Sequence, residues 1–237
     1  LVKQYLHLWA GSVPRARVAH DLANFTFSLP KYVRAERRDR GEFIRTFMRR
    51  YKGFKVSEIQ RLVRGGFGRA MMRRALPDAL RRVQEHRDAG HRTILVTGTI
   101  DLMVEPFVPY FDEVVAGRMQ EKDGVLTGFL ADPPLVDEAR AAWLRHYAEK
   151  NGFNLSQSYG YGDSHADLVW LQLLGNPSAV NPDIRLYRHA REKRWNVLDW
   201  KRRPAGVVPV EPAEADLQTT EGAGRVLENQ PTASHGI

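Results

Sequence analysis

The 237-residue sequence predicts an α/β protein: a parallel sheet with helices on its faces, preceded by a helical region and followed by a tail. Through residues 1–90, apolar residues recur at helical spacing and strand signals are nearly absent. From His91 onward, short β-rich runs alternate with helical segments, the pattern of strands joined by crossover helices. From Lys201 onward Pro, Ala, Glu, Thr and Gly dominate and periodicity is lost, so residues 203–237 read as a disordered tail.

The helical region contains "LVKQYLHLWA", "EFIRTFMRRY", "VSEIQRLVRGGFGRAMMRRAL" and "PDALRRVQEHRDAG", with breaks at Gly11, Pro14, Pro30, Gly53 and Pro77. Ser57 is the expected start of the helix that begins "EIQRLV". The run "RTILVT" (92–97) is a strand expected to stop at Gly98. A helix-like "DLMVEPFVPYF", broken by prolines, leads to a second strand, "EVVAG" (113–117). "EKDGVLTG" carries an Asp123-Gly124 hairpin signal. "DEARAAWLRHYAEKNG" (137–152) is an amphipathic helix closed by Gly152. Then "SYGYGD" is a strand, "SHADLVWLQLLG" a helix, "SAVN" a strand, "DIRLYRHAREK" a helix and "WNVLDW" a last strand.

Composition narrows the function classes. With 43% hydrophobic and 10% aromatic residues the chain can bury a core. The absence of cysteine excludes disulfides and thiolate metal sites and favours a reducing compartment, so a cytoplasmic location is expected. No apolar run approaches the roughly 20 residues of a transmembrane helix. The net charge of +8 is lopsided: residues 1–92 hold 22 Lys/Arg against 8 Asp/Glu, a balance of +14, and the rest sum to −6. A basic helical half can attract nucleic acid, anionic lipid or phosphorylated substrate, or it can be a solvated arginine-rich surface. No specific nucleic-acid-binding motif is present, and the aromatic residues are scattered instead of interleaved with the basic cluster.

Ligands of open parallel sheets bind beyond the carboxyl ends of the strands, and two such ends carry suggestive chemistry. In "LVTGT", Thr97 presents a hydroxyl and Gly98 is expected to let the backbone turn and expose amides, a setting that suits phosphate. Ordinary turn chemistry accounts for the same residues. In "YGDSHAD", Asp163 stands at the strand end after a glycine that permits close approach, and Asp167 follows on the same face of the first helical turn. Hard carboxylate oxygens suit Mg2+, which is held by one or two carboxylates, water and substrate phosphate. Ser164 and Asp167 also fit a Ser-x-x-Asp capping pattern, which explains both of them without a ligand but leaves Asp163 unexplained.

The stretches "GHRTILVTGTIDLMVEPF", "LTGFLADPP", "YGYGDSHADLVWLQLLGNPSAVNPD" and "LYRHAREKRWNVLDW" together resemble the haloacid dehalogenase superfamily, in its phosphoserine-phosphatase-like subfamily IB. The resemblance covers roughly residues 1–200. It implies a Rossmann-like parallel-sheet core over residues 76–200 with a helical cap domain over residues 1–75, and it leaves 201–237 as the tail. It further implies a Mg2+-dependent phosphomonoester hydrolase acting on a small phosphorylated substrate through an aspartyl-phosphate intermediate. On that basis Thr97 and Gly98 would bind the transferring phosphoryl group, Asp163 and Asp167 would complete the metal site, and a basic residue would balance the phosphate charge.

The sequence departs from the family pattern at three places. The basic residue is usually a lysine, and near its place only Arg140 is available, which keeps the charge but presents a planar fork. Ala166 occupies a position often polar in relatives. No apolar strand ending in Asp-x-Asp precedes residue 90, and the early acids Asp21, Glu36, Asp39, Glu42, Glu58, Asp78, Glu85 and Asp88 all sit in helical or charged contexts. The nucleophile strand is therefore expected to lie upstream, in a native protein beginning about 20 to 40 residues earlier. The alternative expectation is a non-catalytic relative whose basic cap, including Arg37, Arg38 and Arg40, makes weak contact with an anionic membrane or nucleic acid.

Overall fold

The computed structural model describes residues 39–201 and 225–227. The early helical stretch up to residue 38, with Asp21, Glu36, Arg37 and Arg38, lies outside the described residues, as does most of the tail. Packing divides the described residues into two compact units, residues 39–134 with 225–227, and Leu135–Lys201. The helices of the 40–74 region fall in the same unit as the first strands.

In the first unit, α1 (Arg40–Met48) starts where the Asp39 carboxylate accepts from the Gly41 amide at 2.7 Å, satisfying one of the donors a helix start leaves open. Its apolar face buries Ile44, Phe47 and Met48, with Tyr51 next to them. The Tyr51 hydroxyl lies 3.6 Å from Met103 Sδ, which joins this region to the segment after the first strand. The next helix, α2 (Val56–Leu62), begins at Val56 rather than Ser57 and has no side-chain cap. A π-helical turn over Val63–Phe67, where Gly65 leaves helical geometry, carries it into α3 (Gly68–Arg74). A β-carbon on Gly68 would stand 2.0 Å from the Val63 carbonyl oxygen, so only glycine fits that joint. Pro77 opens α4 (Pro77–Asp88) at the first helical turn, where its missing N–H costs nothing.

The strand β1 (Ile94–Ile100) runs parallel to β2 (Glu113–Gly117), and β8 (Arg225–Leu227) adds parallel on the far side of β2. Within the expected tail, then, three residues form a strand. Between β1 and β2 lie a single helical turn, α5 (Asp101–Val104), and a 3-10 segment (Glu105–Tyr110) that contains Pro106 and Pro109. Val104, Val114 and Ala116 form a buried cluster against Leu95, Val108 and Phe111. The hairpin of β3 (Met119–Lys122) and β4 (Val125–Leu130) turns at Asp123 and Gly124, with φ of 53° and 74°. Both residues in left-handed conformation make the turn that fits the twist of two antiparallel strands.

In the second unit, α6 (Asp137–Asn151) ends on Gly152 at φ 70°, a left-handed cap that glycine adopts without strain. Three parallel strands follow in the order β5 (Tyr159–Gly162), β6 (Asn176–Val180) and β7 (Asn196–Leu198). Between β5 and β6 a 3-10 turn (His165–Asp167) runs into the short α7 (Leu168–Leu171); α8 (Ile184–Glu192) joins β6 to β7. Leu171, Ala179, Leu186 and Ala190 are fully buried and form the core between helices and strands. A β-carbon on Gly160 would stand 2.2 Å from Leu174 Cδ1, so β5 lies against the helical layer more closely than any side chain allows. The expected α/β class with parallel sheets is what the chain adopts. Among the described residues, no helix is long and apolar enough to cross a membrane.

Candidate active site

The four parallel residues of β5 deliver Asp163 at their carboxyl end, and its side chain is exposed there. Gly162 is required just before it. A β-carbon at that position would stand 2.9 Å from Asp167 Cβ and 3.0 Å from Leu171 Cδ1. The glycine thus lets the strand end pass close to the start of the following helix, as the sequence pattern suggested.

Asp167 has a different environment from Asp163. Its Oδ1 accepts from Arg140 Nη1 at 2.7 Å and from Trp170 Nε1 at 3.1 Å. Its Oδ2 accepts from the backbone amides of Asp163 (3.3 Å) and Ser164 (3.2 Å) and from Ser164 Oγ (3.2 Å). The amide of Ser164 donating to the acid three residues on is the return half of a capping box. Five protein donors therefore fill the lone pairs of this carboxylate. The Arg140 and Asp167 side chains are 14% and 12% exposed, so the pair is mostly withdrawn from water. Arg140 Nη2 also donates to the Leu135 carbonyl at 3.3 Å, which fixes the guanidinium in its plane.

A second tether holds the same loop. Asp183 caps α8, its Oδ1 accepting from the amides of Arg185 and Leu186, while its Oδ2 accepts from the amide of His165 at 2.7 Å. The Asp183 amide in turn donates to the Asp163 carbonyl at 2.9 Å. Burial pushes the Asp183 carboxyl up, but the three backbone amides outweigh it and hold the group below its ordinary value. The backbone that carries Asp163 is thus pinned from two sides, and its carboxylate is left at the surface of the strand end.

The first unit supplies the other expected residues. Thr97 and Gly98 lie within β1, which continues to Ile100 instead of ending at Gly98. The pairing with β2 is irregular there: Val96 faces Val115 and Ile100 faces Gly117, so Thr97 to Thr99 stand opposite Ala116 alone. Thr97 Oγ1 accepts from the Thr99 amide at 3.2 Å, and a β-carbon on Gly98 would meet only Ile44 Cδ1, at 3.9 Å. The phi angle of Gly98 is not positive, so the expected sharp glycine turn is replaced by a bulge. The α5 helix that follows has four residues, too few to act as a helix-terminus anion site. At its start, burial pushes the Asp101 carboxyl up, against the pull of the Leu102 amide and Arg118.

The structure thus brings Arg140, Asp163 and Asp167 into one constellation and sets Thr97 and Gly98 together on the bulged end of β1. Trp170 and Asp183 belong to the same machinery as Asp163 and were not singled out by sequence, whereas Gly162 and Ser164 were. For Trp170 no local signal existed, whereas Asp183 stands directly before a helix and could have been read as its cap. Among the described residues there is no group of three or more His, Asp or Glu that could hold a metal ion. An exposed carboxylate at a pinned strand end nonetheless fits Mg2+, which takes most of its ligands from water and phosphate.

The chain is similar to several known proteins. The family model for haloacid dehalogenase-like hydrolases matches residues 4–172. A histidinol-phosphatase of Neisseria meningitidis is 30% identical over 182 residues, 74% of this chain and 73% of that protein. A phosphoserine phosphatase of Mycobacterium tuberculosis is 34% identical over 120 residues, 50% of this chain but 39% of its own length. Among solved structures, a Bordetella pertussis protein of unknown function superposes with a TM-score of 0.69 at 20% identity, covering 83% of this chain and 90% of that one. A phosphoserine phosphatase with a phospho-aspartyl intermediate analogue superposes with a TM-score of 0.55 at 19% identity, covering 74% and 80%.

Proposed function

As the chain belongs to the haloacid dehalogenase-like hydrolase family, we propose that it serves a Mg2+-dependent phosphomonoester hydrolase whose nucleophilic aspartate is not supplied in an Asp-x-Asp pair by these 237 residues. One observation carries the reading: Asp163 stands exposed at the carboxyl end of a parallel strand, on backbone held by Asp167 and Asp183. Both oxygens of Asp167 accept from protein donors around the same loop. Asp163, at the strand end, would hold Mg2+, and Asp167 holds the loop that carries it. Bound Mg2+ would supply neutralisation of phosphoryl charge.

Arg140 orients Asp167 and adds a fixed positive charge beside the loop. Thr97 and the Gly98 amide are the groups of the reading that take phosphoryl oxygens, the hydroxyl and the amide both donating. In such a hydrolysis a carboxylate attacks phosphorus, the ester P–O bond breaks and the alcohol departs with a proton. Water then cleaves the acyl phosphate to free carboxylate and inorganic phosphate. A small phosphomonoester is the substrate class supported by the names of the similar Neisseria and Mycobacterium proteins.

The test is turnover of small phosphomonoesters by the native full-length protein with and without Mg2+, beside its Asp163→Asn variant. Removing this single charge is expected to lower kcat by about a hundredfold or more, the scale of one electrostatic group in an active site. Unchanged Mg2+-dependent turnover in Asp163→Asn would overturn the metal assignment.

A further inference from the structure

A second polar hollow lies at the opposite end of the β5–β6–β7 sheet. It has a volume of about 470 Å³ and opens beside Asn176 and Asn196, the first residues of β6 and β7. Asp163, in contrast, follows the carboxyl end of β5. His189, Lys193 and Arg194 line the hollow together with Trp195, Gln172 and Asn196, and no Asp or Glu does. The nearest acid in sequence, Glu192, reaches Lys193 at 3.7 Å with both side chains more than half exposed, a contact worth little in water.

Arg194 is the informative residue. It adopts φ 56° just after α8, with the Trp195 amide donating back to the Ala190 carbonyl at 2.8 Å. This is the left-handed position after a helix, where glycine is the residue that carries no β-carbon penalty, about 1 kcal/mol for other residues. The same chain places glycine in left-handed conformation after two other helices, Gly90 at φ 75° after α4 and Gly152 at φ 70° after α6. Favourable charge at the end of α8 does not require the arginine, because His189 and Arg191 already stand in the last turn and Lys193 caps it. Among the described residues, the Arg194 guanidinium makes no ion pair or hydrogen bond. The left-handed conformation is thus kept for a side chain that has no ion-pair or hydrogen-bond partner among the described residues.

The rest of the wall has a shape as well as a charge. The His189 and Trp195 rings meet edge to face at 5.1 Å, and Gln172 Nε2 lies 3.2 Å from His189 Nε2. The hollow thus combines cationic groups, an aromatic pair and the side-chain amides of Gln172 and Asn196, in a volume within the range of small-molecule sites. No hydroxyl, thiol or carboxylate side chain lines it.

We propose that this hollow is a non-catalytic binding site for a phosphate-bearing small molecule with a planar ring, of mononucleotide size. Lys193 and Arg194 take the phosphate, and the ring lies against the Trp195–His189 pair within reach of the two amides. The proposal is independent of the hydrolase reading, because it uses none of the residues assigned there.

The probe is AMP, with inorganic phosphate in a parallel titration, added to the full chain and followed by calorimetry and by amide and indole NMR shifts. AMP is expected to saturate, shifting the Trp195 indole and the amides of 193–196, and to bind more tightly than phosphate alone. Arg194→Gly removes the β-carbon from a left-handed position, so it is expected to melt no lower than the wild type while weakening AMP about tenfold, or 1.4 kcal/mol. Lys193→Gln is a second variant at an exposed site and is expected to weaken AMP in the same direction. Asp163→Asn is expected to leave the affinity unchanged. The proposal is overturned if millimolar AMP fails to saturate, or if both Arg194→Gly and Lys193→Gln bind as the wild type does. Loss of binding in Asp163→Asn alone would move the ligand to the other end of the sheet and likewise end it.

Discussion

Replacing Arg140 by methionine would remove a guanidinium that lies 2.7 Å from Asp167 and leave most of the carboxylate's surroundings intact. Breaking a buried ion pair from one side costs about 3–5 kcal/mol, because the remaining charge is stranded. Here the stranded group keeps donors from the Asp163 and Ser164 amides, Ser164 Oγ and Trp170 Nε1. Those donors, with side chains 14% and 12% exposed, reduce the expected cost to about 2–3 kcal/mol. The lost bond to the Leu135 carbonyl adds about 1 kcal/mol. Arg140→Lys should fall between, keeping the charge and losing the fork. Four of the five tryptophans, Trp143, Trp170, Trp195 and Trp200, lie in the unit formed by residues 135–201, so urea unfolding followed by tryptophan fluorescence reads that unit. The double variant with Asp167→Asn should cost less than the two single changes added together, by at least about 1 kcal/mol. A cost for Arg140→Met within about 0.5 kcal/mol of zero, as for an ordinary surface change, would refute the reasoning.

Two more outcomes follow from the geometry. Gly162→Ala puts a methyl group 2.9 Å from Asp167 Cβ and 3.0 Å from Leu171 Cδ1, and should destabilise by about 1–3 kcal/mol in the same urea assay, with unchanged stability counting against the close approach. Asp101 has its carboxyl raised above 3.8 chiefly by burial, so the folded state holds its proton longer than the unfolded chain does. Its contribution to stability is then fully present below 3.8 and falls as pH rises through the raised value. Asp101→Asn should flatten that slope and melt higher than wild type at neutral pH, the gap closing on acidification; parallel melting curves against pH would contradict it.

Local chemistry made much of this fold legible. The Asp123-Gly124 turn, the Gly152 cap, the Pro77 helix start and the glycine before Asp163 are each dictated by residues within a few positions of one another, and each is where the pattern put it. Partner choice across long separations was not legible. Helical periodicity gives Arg140 a place on α6 but cannot say that its guanidinium reaches an acid 27 residues on. Gly98 shows the same limit, since a Thr-Gly-Thr run is compatible with a sharp turn or with a bulge, and pairing with β2 decides between them. Ser164 and Asp167 could be read as a cap or as ligands; in the folded chain the capping contact coexists with an ion pair that only tertiary packing provides.

The double engagement of Asp183 has a consequence for anyone recombining this chain with its relatives. One oxygen finishes α8, the other grips the His165 amide, and the backbone of the same residue grips Asp163. The loops after β5 and β6 therefore form one inheritable module, separated in sequence but not in space. A chimera with a crossover between Asp167 and Asp183 would pair one parent's loop with the other parent's anchor, and the carboxylate at the strand end would lose its fixed address. Crossovers before β5 or after α8 carry the module across whole.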